Sequence, residues 1–238
     1  MSQELNPPAK ADDLAVRLNL AREAAAAVCA ADTDNALSAP AQELVRIAIS
    51  DAAVRVRQAF ASEVRAAPGL PRDAALALAR DFELVAIPIL RSSPVFSDLE
   101  ILALYAHATK LKQVAIAERA YLRSHICRAI VESENIEAIA ALLENPDSEL
   151  DEGLERHIYD EFCHIDFIER ALGSRPNVSP ELAGKLVWSS LGAVECAGSP
   201  ARERRIEHAQ NRPDIALREL LKACLAGDHV FAAELLAR

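Results

Sequence analysis

Aromatic side chains are scarce in this sequence: Phe, Trp and Tyr make up 4% of it, with one Trp and three Tyr. Glycine is also rare, at 7 residues in 238. So few glycines argue against a chain built from many tight β-turns, which need residues tolerant of positive φ. Cysteines are few and form no pairing pattern. Cys29, Cys127, Cys163, Cys196 and Cys224 are odd in number and none is part of a CxxC pair. A disulfide framework or zinc knuckle is therefore not expected, and reduced, mostly buried thiols are. Long hydrophobic runs are missing too. The longest small-apolar stretch, Ala24 to Ala31, falls far short of the about 20 residues needed to cross a bilayer. The segment Met1 to Asp13 is polar and partly acidic, unlike a secretion signal. Nor does the chain contain G-x-S-x-G, a P-loop, G-x-G-x-x-G or H-E-x-x-H.

Positive charge is in deficit. Lys and Arg number 26 against 36 Asp and Glu, a formal net charge of −10. Phosphate neutralisation needs clustered Lys and Arg, so no nucleic-acid partner is expected. The imbalance is local. Between Arg128 and Arg170 there are 13 acids and 3 bases, and the rest of the chain holds 23 of each sign. That segment reads either as a solvated helix face or as a surface that attracts a basic partner.

What the chain has in quantity is apolar residues, 51% of it, much of this Ala, Leu, Val and Ile. They recur at helical spacing, and no segment alternates with the period of a strand. Residues 1–11 read as a disordered tail, and Asp12 or Asp13 as the cap of a first helix to about Ala31. From Pro40 short helices follow with brief breaks: about 40–49, 51–66, one from Pro71, one from Asp81 containing Pro88, then 98–108, 111–120, 123–133 and 135–144. Asp151 to Leu172 reads as one sustained helix. Ser97 and Glu100 have the spacing of a capping box. Ser179 and Pro180 have that of an N-cap followed by a first-turn proline. A weak echo, Val54-Arg-Val56, Val85-Ala-Ile87 and Val114-Ala-Ile116, recurs at offsets of 31 and 29. The expected fold is all-α: an irregular HEAT-like α-solenoid of short antiparallel helix pairs, with a non-repetitive bundle as the alternative. The expected division is a helical domain over 12–196 and a C-terminal helical segment over 197–238.

The order of several short motifs carries a resemblance. Asp51, Val54-Arg55, Ala59 and Val64 are followed by Pro71, Leu78-Ala79 and Asp81. Val85-Ala86, Pro88, Leu90 and Ser93-Pro94 come next. Ser97-Asp98, Ile101-Leu102, Ala115-Ile116-Ala117-Glu118-Arg119 and Leu142-Leu143-Glu144-Asn145 complete the set. Over about 51–150 this resembles a HEAT-like domain-of-unknown-function family of alphaproteobacterial proteins, uncharacterised family 2336. Leu221 to Leu236 looks like the family's C-terminal part, and 150–212 matches less clearly. The resemblance implies a fold and a bacterial origin, and no chemistry.

Within 151–172, His157, Glu161 and His164 fall at i, i+4 and i+7 beside a core stripe of Leu154, Ile158, Phe162, Ile165, Ile168 and Leu172. Two imidazoles and a carboxylate so spaced suit a metal, but no second E-x-x-H completes a di-iron pattern, and a helix flank is the preferred reading. Tyr159, Cys163 and Phe167 form a second apolar stripe, either buried or open to a partner. The reading assigns no catalytic residue, no cofactor and no metal. It expects a cytoplasmic protein-interaction or scaffold module that contacts no membrane and binds a protein partner, possibly basic. The contact residues would be Glu132, Glu134, Glu137, Glu149, Asp151, Glu152, Glu155, Tyr159 and Phe167. The alternatives are a HEAT-like enzyme such as a DNA glycosylase, or a regulatory domain acting with a separate output protein.

Overall fold

The computed structural model describes residues 7–31, 37–175, 178–180, 182–184, 186 and 207. Its helices are α1 (Pro7–Ala30), α2 (Ala39–Ser50), α3 (Val54–Val64), α4 (Arg72–Ala79), α5 (Glu83–Ser92), α6 (Asp98–Ala106), α7 (Lys110–Ala117), α8 (Ser124–Glu132), α9 (Ile136–Glu144), α10 (Glu152–Phe162) and α11 (Asp166–Gly173). Among the described residues no strand forms. An isolated bridge pairs Leu122 with Ser148, and the Glu149 N–H donates to the Leu122 carbonyl at 2.8 Å. The chain forms two compact units, 1–120 and 121–238. The expected C-terminal segment 197–238 lies outside the described residues except for Glu207, as do Cys196, Cys224, Trp188 and the Leu221–Leu236 motif.

Most helix starts follow from local chemistry. Pro40 sits in the first turn of α2 and Pro71 is the residue before α4, positions where a missing N–H leaves no bond unmade. Glu100 accepts from the Ser97 N–H and hydroxyl, both at 2.9 Å, and closes the capping box of α6. The Asp151 carboxylate accepts from the Leu154 N–H at 2.8 Å and caps α10. A further helical turn begins at Pro180, where the Ala183 N–H reaches the Ser179 carbonyl at 2.9 Å.

Two expectations shift, and the expected helix containing Pro88 forms. Helix α1 starts at Pro7, so residues 7–11 are helical. Pro88 lies inside α5, and the helix runs past it to Ser92 without the N–H that would reach the Leu84 carbonyl. The sustained helix over 151–172 is two helices, broken at 163–165. Cys163 caps the end of α10, and Ile165 has the extended backbone that starts α11.

In the first unit α1 packs on α3, α3 on α5 and α5 on α7. Helix α2 lies against α1, α3 and α4, α4 against α5, and α6 against α7. The weak valine echo marks this arrangement, because Val54, Val85 and Val114 fall on α3, α5 and α7. The starts of these three helices adjoin. Arg57 of α3 donates to Asp81, just before α5, at 2.9 Å, and the Thr109 hydroxyl before α7 donates to Glu83 of α5 at 2.6 Å. They therefore point the same way, and the short breaks make α4 and α6 run back between them. Phe60, Leu78, Ile89 and Ile116 fill the space between the layers and are fully buried.

The described part of the second unit repeats the plan. Helix α9 packs on α8 and α11, and α10 on α11. The Ser124 hydroxyl at the start of α8 donates to Asp151, the cap of α10, at 3.1 Å. Helices α8 and α10 thus begin at one end, and α9 returns between them. Ile126, Ile130, Ile139, Leu142 and Ile158 form its core. Among the described residues each unit stacks helix pairs, the packing expected where each pair buries its apolar face on the next.

Candidate functional site

The acidic segment occupies the two turns at the ends of α9. Glu132 is the last residue of α8, Glu134 lies in the turn, and Glu137 is in the first turn of α9. Glu144 ends α9, Asp147 and Glu149 lie in the next loop, and Asp151 and Glu152 start α10. All eight are exposed. A single ion pair to them is resolved among the described residues, Arg128 to Asp151 at 3.4 Å.

The structure divides this charge between two places. Nine residues of α9 put about 13 Å between its ends at ~1.5 Å per residue, beyond the Debye length of ~8 Å at physiological salt. One group is Glu132, Glu134 and Glu137. The other is Glu144, Asp147, Glu149, Asp151 and Glu152.

Local geometry differs between the groups. Glu134 has φ of 55°, the left-handed conformation that ends many helices and that glycine usually supplies. Its N–H donates to the Val131 carbonyl at 3.1 Å, satisfying one of the last acceptors of α8. In the second group the N–H of Leu154 and the Ser124 hydroxyl hold the Asp151 carboxyl below its usual range. Arg175 pins the loop carrying Asp147 and Glu149 from beneath. Its guanidinium donates to the carbonyls of Leu143 at 3.0 Å, Asn145 at 3.2 Å and Ser148 at 3.3 Å. Burial lowers the proton affinity of this guanidinium, against the pull of Glu155.

Two residues expected on the contact surface are not there. Glu155 is 3% exposed, and its carboxylate accepts from the Ser179 N–H at 3.3 Å, so it anchors the following helix start. Tyr159 is also 3% exposed, because its face of α10 is turned into the unit. Phe167, on α11, keeps 44% exposure. The second stripe is thus split, since Cys163 is buried as well. The histidine pattern breaks with the helix. His157 is exposed on α10, Glu161 is near its end, and His164 lies in the turn beyond it. Among the described residues no three His, Cys, Asp or Glu side chains are grouped to hold a metal ion, and no helix is long and apolar enough to cross a membrane.

Sequence reasoning missed two arginines, Arg119, which is buried, and Arg175, which is half-buried. Arg175, two residues past α11, caps α9. Arg119, two residues past α7, caps α5, donating to the Leu90 carbonyl and to the Ser93 carbonyl at 2.7 Å. It lies 5.9 Å from the centre of the Phe96 ring, and burial lowers its pKa to about 10. The shared signal is an arginine two residues beyond a stacked helix, and Arg119 already sits in a motif that carries the resemblance.

No curated protein and no solved structure matches the chain. A family model described as an uncharacterised protein conserved in bacteria, DUF2336, matches residues 85–237. The match leaves out the motifs placed at 51–81 and takes in 150–212, the stretch where the resemblance is less clear. It covers α8 to α11 of the second unit and, in the first, most of α5 together with α6 and α7. On this match the chain belongs to the DUF2336 family of proteins conserved in bacteria.

Proposed function

We propose that the chain is a non-catalytic, cytoplasmic protein-interaction module, HEAT-like in its stacked helix pairs, whose second unit docks a basic protein partner. The observation that carries this reading is the pair of acidic groups at the ends of α9, eight exposed carboxylates with one resolved ion pair. Exposed charges of one sign speed encounter with an oppositely charged surface and reject like-charged ones. The same charge disfavours nucleic acid, whose phosphates would meet uncompensated acids. Phe167 supplies the half-exposed aromatic on the same unit that a partner contact would use.

The test is capture from extract of the native bacterium, with the full chain as bait. The parent is compared with a variant carrying Glu132→Gln, Glu134→Gln, Glu137→Gln and Glu149→Gln. A basic protein retained by the parent at low salt and released both by higher salt and by the variant supports the reading. Equal retention on both baits, or nothing retained by either, contradicts it.

A further inference from the structure

Two cationic side chains, Arg80 and Lys112, and the His107 imidazole line a cleft between α4 and α6 in the first unit. Its volume is about 450 Å³, within the ~300–1,000 Å³ usual for small-molecule sites. Leu76, Leu90 and Leu104 give it apolar walls, while Arg80, His107 and Lys112 line it with nitrogen. Helix α4 packs on α2 and α5 and α6 packs on α7, so each is held from behind while the space between them stays open.

The charges in the cleft are not equivalent. Lys112 is fixed: its ammonium donates to the Asp81 carbonyl at 2.6 Å, at the end of α4. Arg80 and His107 are exposed, and no side-chain bond is resolved for either among the described residues. The lone carboxylate, Glu100, is neutralised. It accepts from Arg72 at 2.7 Å and from Ser97, and these bonds hold its carboxyl below the usual range. Helices α4 and α6 also end here, each bringing roughly half a negative charge from its carbonyl end. The full charges of Lys112 and Arg80 outweigh those ends, so the net field at the cleft is positive although the chain carries −10.

We propose that the α4–α6 cleft binds a small molecule with an apolar body and one carboxylate. The body lies against Leu76, Leu90 and Leu104, and the carboxylate sits between Arg80 and His107. Arg80 gives two parallel N–H donors to a carboxylate, and Lys112 adds a fixed charge behind them. A neutral ligand of the same shape would leave Arg80 and His107 without their partner. This site lies in the first unit and shares no residue with the acidic surface.

The test uses octanoate as the probe and octanol as its neutral counterpart, titrated into the isotope-labelled full chain and followed by amide NMR. The expected result is saturable shifts at Leu76, Ala103, Leu104 and His107. Binding should be weaker by about fivefold or more for octanol, and by a similar factor for Arg80→Ala with octanoate. Ala103, exposed on the lip of the cleft, offers a blocking variant: Ala103→Trp should abolish the shifts while the melting temperature stays near that of the parent. Equal binding of octanoate and octanol, affinity unchanged in Arg80→Ala, shifts centred elsewhere, or no saturable shift would each overturn the proposal.

Discussion

Arg119 shows how one buried charge fixes a helix end. The last carbonyls of a helix have no partner within it, and a guanidinium can serve two of them at once. Here it serves Leu90 and Ser93 and keeps its face near the Phe96 ring. Arg119→Ala should destabilise the chain by about 3 kcal/mol, read from denaturant unfolding, because two carbonyls lose charged donors and a cavity opens. Arg119→Lys should recover little of this, since a single ammonium cannot span both carbonyls. Full recovery by lysine would show that charge alone matters. Glu134 makes the opposite case, a residue whose backbone is held where its side chain is unwelcome. Glu134→Gly should stabilise the chain by roughly 1 kcal/mol by removing the left-handed penalty, and Glu134→Gln should not. Equal gains from both substitutions would assign the effect to charge. Neither residue's role is legible from composition. Arg119 looks like any helix-end arginine until its carbonyl partners, 26 and 29 residues away, are known.

At the scale of elements the helices were largely legible, because their signals are local. The capping box at Ser97, the proline at 40, the helix start near Asp151 and the start at Ser179 each need only neighbours in sequence. The break at 163–165 was not legible. Its apolar spacing continues through Ile165 to Ile168 as if the helix did, and no glycine or proline marks the stop. That break removes the histidine pattern as a single helical face. Links between elements were equally hidden. Asp51 accepts from Arg17 of α1 at 2.8 Å, and Asp81 from Arg57 of α3 at 2.9 Å, so each carboxylate ties one stacked helix to the start of the next. The arginine bonds hold both carboxyls below the ordinary range in the folded chain. The unfolded chain therefore binds more protons as pH falls through about 4, and the stability these pairs give at neutral pH is lost on acidification. The melting temperature should fall as pH drops from about 5 towards 3. In Asp81→Asn it should start lower and fall less steeply over that window. An unchanged slope would show that other carboxylates govern the acid limb.

On the scale of the whole molecule, the charge count located the acidic segment, and the structure set its layout. Thirteen acids between Arg128 and Arg170 are visible in one line of sequence. That eight of them divide between the two ends of α9, and that Glu155 turns inward to Ser179, depends on packing. Two groups more than ~10 Å apart should contribute independently to binding. Substituting Glu132, Glu134 and Glu137 by Gln, or Glu149 and Glu152 by Gln, should weaken a basic partner by factors that multiply in the combined variant. The most direct measurement is the affinity of the full chain for its captured partner as a function of salt, for the parent and for the Glu132→Gln, Glu134→Gln, Glu137→Gln, Glu149→Gln variant. The account predicts that parent affinity falls about tenfold or more between about 50 and about 300 mM salt, and that the variant binds more weakly with a shallower salt dependence. Parent and variant curves that coincide would contradict it, and the acids would then be only a solvated face.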